Sequence, residues 1–134
     1  MRNHALGVMA VGLLATLQVR PVPVLHVVQV GTVAGGNRFY PIETVARVGD
    51  TVRFNNLGGI HNVQFQADSM SDFARGLLSE AMLGEKIAPL SSPLLLDSKE
   101  RYEFVVPPLP PGRYPFVCLP HAASGMKGVL VVVP

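Results

Sequence analysis

The chain of 134 residues has one cysteine, Cys118, four histidines and no tryptophan. A lone cysteine excludes an internal disulfide, and in an oxidising compartment a bound metal would protect the free thiol. No two histidines form a His-x-His pair, so the residues for a cluster of several metal ions are missing. These shortages limit any metal chemistry to a single mononuclear site.

Charged residues are also few in the first part of the chain. Arg2 precedes an uncharged, mostly apolar stretch over 5–19, which is shorter than the roughly 20 residues of a membrane span. We therefore predict a signal peptide over 1–20 and one domain over 21–134, with export to the periplasm or another extracytoplasmic space. Because no small-x-small cleavage site precedes Arg20, the segment could instead remain as an N-terminal anchor that tethers the domain to a membrane. A buried first strand or helix is the alternative.

The rest of the chain is close to neutral. Arg2 and Arg20 leave with the first twenty residues, so the eleven basic residues fall to nine, equal to the nine acidic ones. There is no long run of like charge, and the basic surface that nucleic acid requires is absent from the sequence. We expect no nucleic-acid partner.

Frequent glycine and proline, 13 and 12 residues, favour a turn-rich β architecture. Short segments of β-branched and aromatic residues between turn signals predict strands over 24–30, 44–48, 51–55, 61–66, 101–106, 113–118 and 127–133, with a further short strand over 93–96. Ser69 or Ser71 could cap one short helix that continues to Met82 and ends at Gly84. The predicted fold is all-β, a Greek-key β-sandwich of seven or eight strands with one short helix.

A cluster of potential metal ligands lies near the C-terminus, with the spacing Cys118-x2-His121-x4-Met126. His61 is far upstream, but it alternates with Val63 and Phe65 and should face the interior. Two imidazoles, one thiolate and a weak axial thioether are the donor set of a copper site for one-electron transfer. Taken singly, the cysteine would be a buried hydrophobe, the methionine a core residue and His61 an ordinary polar residue; the combined spacing favours a metal site.

The neighbours of these residues suggest further roles. Asn62 could fix the Cys118 loop by side-chain hydrogen bonds to its backbone, and the Ile60 carbonyl could approach the metal as an additional weak axial oxygen. Pro120, Ala122 and Ala123 surround His121 and predict an apolar face for docking and electron entry.

The sequence resembles the cupredoxins, and within them it is most similar to plastocyanin and pseudoazurin. The matching segments are 48–56, 59–63, 112–121 and 125–128, and the resemblance extends over about 24–134. It implies a type 1 copper site with His61, Cys118, His121 and Met126 as ligands. It also implies a soluble or tethered electron shuttle outside the cytoplasm.

Two departures from the pattern of the resembled family bear on the identity of the redox partner. Val117 stands where plant and algal relatives have a tyrosine before the cysteine, and acidic residues over 68–103 are mixed with basic ones. We therefore expect respiratory or detoxifying bacterial redox partners, reached through the apolar face around His121, rather than docking through acidic residues.

We expect a monomeric electron carrier with one copper ion per chain and no enzymatic turnover. Multicopper oxidases and copper nitrite reductases share the resembled fold, but their additional copper centres need more histidines than this chain has. The alternative is a periplasmic copper carrier or chaperone, although such proteins favour exposed methionine or histidine clusters, which the sequence lacks.

Overall fold

A computed structural model describes residues 17–134 of the chain. The predicted leader over 1–20 falls mostly on residues 1–16, outside the described residues, so its cleavage stays a prediction. Residues 17–24 are exposed and have no regular secondary structure. Within 17–134, no helix has the length and apolar character needed to cross a bilayer.

The described residues form eight strands in two sheets of four. The strands are β1 (Leu25–Val33), β2 (Gly36–Tyr40), β3 (Glu43–Arg47), β4 (Thr51–Asn56), β5 (Gln64–Phe65), β6 (Arg101–Val105), β7 (Gly112–Val117) and β8 (Lys127–Val133). One sheet has the order β2-β1-β4-β6 and the other β3-β8-β7-β5. The predicted β-sandwich is confirmed.

Two parallel pairings set which strand ends lie together. β1 is parallel to β4, with Leu25 beside Thr51 and Val30 beside Asn56. β3 is parallel to β8, and β7 runs antiparallel to β8 so that Val117 lies beside Lys127. The loop after β4 therefore lies at the end of the first sheet where β1 also ends. In the second sheet, the residues that connect β7 to β8 close a hairpin.

A cluster of aromatic rings fills the space between the sheets. Its members are Phe39, Phe54, Phe65, Phe104 and Phe116. Phe116 contacts Phe39 edge to face at 4.9 Å between ring centroids and Phe54 at 5.5 Å, the arrangement that aromatic pairs prefer. Gly128 lies opposite Phe116, where a Cβ would come within 2.6 Å of the ring. This packing anchors the strand that delivers Cys118, two residues further on.

The helix is somewhat shorter than predicted. Helix α1 spans Asp72–Ala81, and Ser71 rather than Ser69 is its N-cap, since its hydroxyl accepts a hydrogen bond from the Ala74 N–H at 3.2 Å. The helix ends before Gly84 because Met82 adopts an extended conformation and is fully buried.

The predicted strand over 61–66 was wrong in its first half. Only Gln64–Phe65 pairs as a strand, and His61, Asn62 and Val63 are all buried instead of alternating. The partner of this segment is the irregular chain over 90–95, which makes isolated bridges at Leu95 and Ser91. The predicted strand over 93–96 is thus reduced to a single bridge, because Pro93 has no N–H to donate.

Candidate metal centre

His61 is held by its own backbone in a buried position. Its N–H donates to the Leu95 carbonyl at 3.0 Å, and its carbonyl accepts from the Leu95 N–H at 2.8 Å. The side chain is only 1% exposed. These two bonds place the ring below the loop that follows β4.

Cys118 and His121 come from the connection between β7 and β8. Cys118 follows β7 directly, is fully buried, and precedes a short 3-10 helix over Leu119–Ser124. The His121 N–H donates to the Cys118 carbonyl at 3.1 Å, which brings the two side chains to the same side of the turn. Gly125 ends the helix in the left-handed region with a φ of 82°, a conformation that favours glycine.

The three donor atoms lie at distances that suit one metal ion. The Cys118 Sγ is 3.6 Å from His61 Nδ1 and 3.5 Å from His121 Nδ1, and the three donors all lie within 4.8 Å of one another. Metal–sulfur and metal–nitrogen bonds of about 2.3 and 2.0 Å leave separations of this size between neighbouring ligands. The residues therefore fit a single ion without rearrangement of the backbone.

Met126 closes the same loop. The Cys118 N–H donates to the Met126 carbonyl at 3.0 Å, and the Met126 N–H donates to the His121 carbonyl at 3.2 Å. The side chain is 2% exposed. All four ligand candidates from the sequence thus belong to one cluster, although three of them are more than 50 positions from His61.

Burial shifts the pKa values of two donors, Cys118 and His61. It raises the pKa of the Cys118 thiol, although the backbone N–H groups of Asn62 and His121 oppose the rise. It lowers the pKa of His61; the Gly58 carbonyl opposes that change, and the proximity of His121 adds to it. His61 is therefore held in the neutral form that binds metals, whereas the thiol must lose its proton when a metal binds.

The Gly58 carbonyl fixes which nitrogen of His61 faces the cluster. His61 Nε2 lies 3.0 Å from this oxygen and donates to it, so Nδ1 is left as the metal donor. Sequence reasoning missed this role of Gly58; the Ile60 carbonyl was predicted for a different one. The role of Ile60 as a weak axial ligand stays a prediction.

Asn62 makes the kind of hydrogen bond that the sequence suggested. Its Oδ1 accepts from the Leu119 N–H at 2.7 Å, directly after Cys118. Its Nδ2 donates to the Ser91 hydroxyl at 3.1 Å, a contact for which the sequence carries no signal. The effect of Asn62 on the metal stays a prediction.

Exposed apolar side chains lie beside the cluster. We call this surface the apolar face and define it by Leu57, Ile60, Leu119 and His121; the three aliphatic side chains are exposed and the imidazole is half-buried. A shallow cavity of about 330 Å³ reaches both His61 and His121 from this side.

The donor set defines a mononuclear copper site of type 1, and the comparisons with known proteins agree. The family described as copper binding proteins, plastocyanin/azurin family, matches residues 26–133. The plastocyanin of Dryopteris crassirhizoma is 32% identical over 106 residues, which are 78% of this chain and 97% of that protein. The chloroplastic plastocyanin minor isoform of Arabidopsis thaliana is 32% identical over 127 residues, 94% and 68% of the two chains.

Solved structures give the same result. The oxidised plastocyanin of Dryopteris crassirhizoma superposes with a TM-score of 0.63 at 28% identity and covers 80% of this chain and 99% of its own. An oxidised amicyanin variant gives a TM-score of 0.53 at 26% identity, with 81% of each chain covered. The chain belongs to the plastocyanin/azurin family of copper-binding proteins, and the prediction of copper as its cofactor is confirmed.

Proposed function

We propose that this protein is a one-electron carrier that uses a single copper ion held by His61, Cys118 and His121, with Met126 as a weak axial ligand. The observation that carries the proposal is the separation of 3.5–3.6 Å between the Cys118 sulfur and two imidazole nitrogens in a buried site. Copper with this donor set supplies a couple between Cu(I) and Cu(II). The β-sandwich keeps the ligands in place in both oxidation states.

The burial of the ligands favours electron transfer over delivery of copper. The Cys118 and Met126 side chains are almost without solvent exposure, so a copper acceptor would have no direct access to them. The imidazole of His121 reaches the apolar face and offers a short route for an electron. We propose no catalytic residue and no substrate turnover for this chain.

We further propose that the protein acts outside the cytoplasm as a monomer and meets its redox partners at the apolar face. The apolar stretch over 5–19 supports export, with the anchor as the alternative. The Arabidopsis thaliana and Physcomitrium patens relatives are described as chloroplastic, which concerns those proteins and leaves the compartment of this one to experiment.

The proposal predicts an intense blue colour with one Cu(II) per chain, produced by charge transfer from the Cys118 sulfur. Substitution Cys118→Ser should abolish the colour, and His121→Asn should weaken or shift it. His26→Asn is the control, because this histidine lies on β1 and contacts Asp50 rather than the cluster. Absorption spectroscopy and metal analysis provide the measurements. A Cys118→Ser protein that stays blue would refute the proposal.

A further inference from the structure

A chain of hydrogen bonds connects the copper loop to a segment with no part in the donor set. The Leu119 N–H donates to Asn62 Oδ1, Asn62 Nδ2 donates to Ser91 Oγ, and the Ser91 hydroxyl donates to the Ser92 carbonyl. The last two bonds are 3.1 and 2.7 Å long. Asn62, Ser91 and Ser92 are fully buried, so water does not replace a lost partner.

The donor and acceptor roles in this series of hydrogen bonds follow from the groups at its ends. A backbone N–H can only donate, so the atom of Asn62 that faces Leu119 must be the amide oxygen. The amide nitrogen then points to Ser91 and requires an acceptor there. Within residues 17–134 the hydroxyl of Ser91 meets that need, and it can accept while it donates to the Ser92 carbonyl.

From this geometry we infer that Ser91 is a positioning residue of the copper site. It orients the Asn62 amide, which in turn holds the Leu119 N–H and with it the turn that begins at Cys118. The inference rests on the proposed function, since its effect is exerted on the copper ligands. Nothing in the ligand spacing of the sequence points to Ser91.

The segment that carries Ser91 is well placed for this role. It runs antiparallel to the residues after His61: the Phe65 N–H donates to the Leu90 carbonyl, and the Ser92 N–H donates to the Val63 carbonyl at 2.8 Å. Leu95 of the same segment holds the His61 backbone. The segment therefore supports a ligand at one end and the ligand loop, through Asn62, at the other.

The neighbouring Ser92 provides a matched control. It is equally buried, and its hydroxyl also accepts one N–H, from Val63 at 2.9 Å, but this hydroxyl bonds the Pro93 carbonyl and not Asn62. Ser91→Ala and Ser92→Ala each leave one buried N–H without an acceptor and should lower the free energy of unfolding by similar amounts. The two variants should differ instead in copper affinity and in charge-transfer absorption.

The test compares both variants with the wild-type protein in two states. In the copper-bound state, Ser91→Ala should weaken copper affinity by about 10–100-fold, the usual cost of losing an outer hydrogen-bond partner, and shift the charge-transfer absorption. In the copper-free state, hydrogen exchange of the Leu119 amide should accelerate in Ser91→Ala. Ser92→Ala should keep the wild-type values of all three, and Ser91→Thr, which retains the hydroxyl, should do so too.

The outcomes separate this inference from the proposed function. Equal effects of Ser91→Ala and Ser92→Ala on copper affinity and Leu119 exchange would overturn the inference, as would a Ser91→Ala protein that matches the wild type. If Ser91→Ala does not fold, the inference requires Ser91→Thr to bind copper as the wild type does, and a folded Ser91→Thr protein that fails to do so would overturn it. A wild-type protein that never turns blue would instead refute the copper site itself.

Discussion

Single residues without side chains shape the space around His61. Gly31 has a φ of 138°, and a Cβ there would lie 3.1 Å from the Leu57 Cβ and 3.3 Å from the Gly58 oxygen. That oxygen accepts the hydrogen bond from His61 Nε2. Gly31 therefore leaves room for the Gly58 carbonyl that selects the metal-binding nitrogen of His61, although Gly31 is 30 positions from His61 in the sequence.

We expect Gly31→Ala to disturb the copper spectrum and to lower the free energy of unfolding more than Gly35→Ala. Both positions have a positive φ that disfavours alanine, by roughly 1–2 kcal/mol in the left-handed helical region near which Gly35 lies. At Gly35 nothing lies within 4 Å of the added Cβ, whereas at Gly31 the Gly58 carbonyl must move. Absorption spectra and denaturant unfolding measure both effects. If the two variants behave alike, backbone strain alone accounts for them and the contact with Gly58 has no role.

At the scale of elements, strands with an alternating pattern could be predicted and segments with irregular pairing could not. β4 alternates between half-buried and buried residues as its sequence indicates. The segment over 61–63 was wrongly predicted as part of a strand, because Asn62 is buried for its hydrogen bonds rather than for an apolar side chain. Its partner over 90–95 was predicted only as a strand over 93–96, and it forms isolated bridges because Leu90 adopts a φ of 57° and Pro93 interrupts the pairing.

The ligands also differ in how far the sequence pattern alone could predict them. Cys118, His121 and Met126 lie close in sequence, so their spacing alone predicted a site. His61 was assigned from a strand phase that holds only from Gln64 onward, and the resemblance to the cupredoxins supplied what that phase lacked. The carbonyl of Gly58 and the hydroxyl of Ser91 depend on long-range backbone geometry, which a pattern of residue types does not contain.

One carboxylate joins the ends of three strands. Asp50, just before β4, accepts hydrogen bonds from the Val24 N–H before β1 and the Arg47 N–H of β3, both at 2.9 Å. Its Oδ2 also lies 2.8 Å from His26 Nε2, so this histidine has a structural role. Burial by itself would raise the pKa of Asp50, but the hydrogen bonds from Arg47, His26 and Val24 outweigh it and lower the pKa to about 2.

The lowered pKa of Asp50 predicts a loss of stability in acid. The Asp50 carboxylate binds a proton less tightly in the folded state than in the unfolded chain, where its pKa is 3.8. Its contribution to the free energy of unfolding is therefore complete above that pH and is lost as the pH falls towards 2. Asp50→Asn should lower the free energy of unfolding by about 1–3 kcal/mol at neutral pH and flatten its pH dependence between 4 and 2. Urea unfolding of the copper-free protein measures both. Asp68→Asn, at an exposed position, is the control, and an unchanged slope in Asp50→Asn would contradict the assignment.

At the scale of the whole molecule, the apolar face and the hydrogen-bonded Asp50 lie at opposite ends of β4. Thr51 begins this strand beside Asp50, and Asn56 ends it beside Leu57 of the apolar face. Residues 21–134 carry equal numbers of basic and acidic residues, so two copies can bring their apolar faces together without strong repulsion. Direct electron exchange between copies then reports on the accessibility of this face.

Leu57→Lys should slow electron self-exchange between the oxidised and reduced protein by roughly tenfold at low salt, because two like charges would meet and lose hydration in the contact. Added salt should restore part of the rate by screening. Val105→Lys is the matched control: it exposes the same charge from an exposed valine on β6, beside Thr51 at the other end of the sandwich. NMR line broadening in mixtures of the two oxidation states measures the rate. Equal slowing by the two variants would show that net charge, rather than the apolar face, governs the encounter.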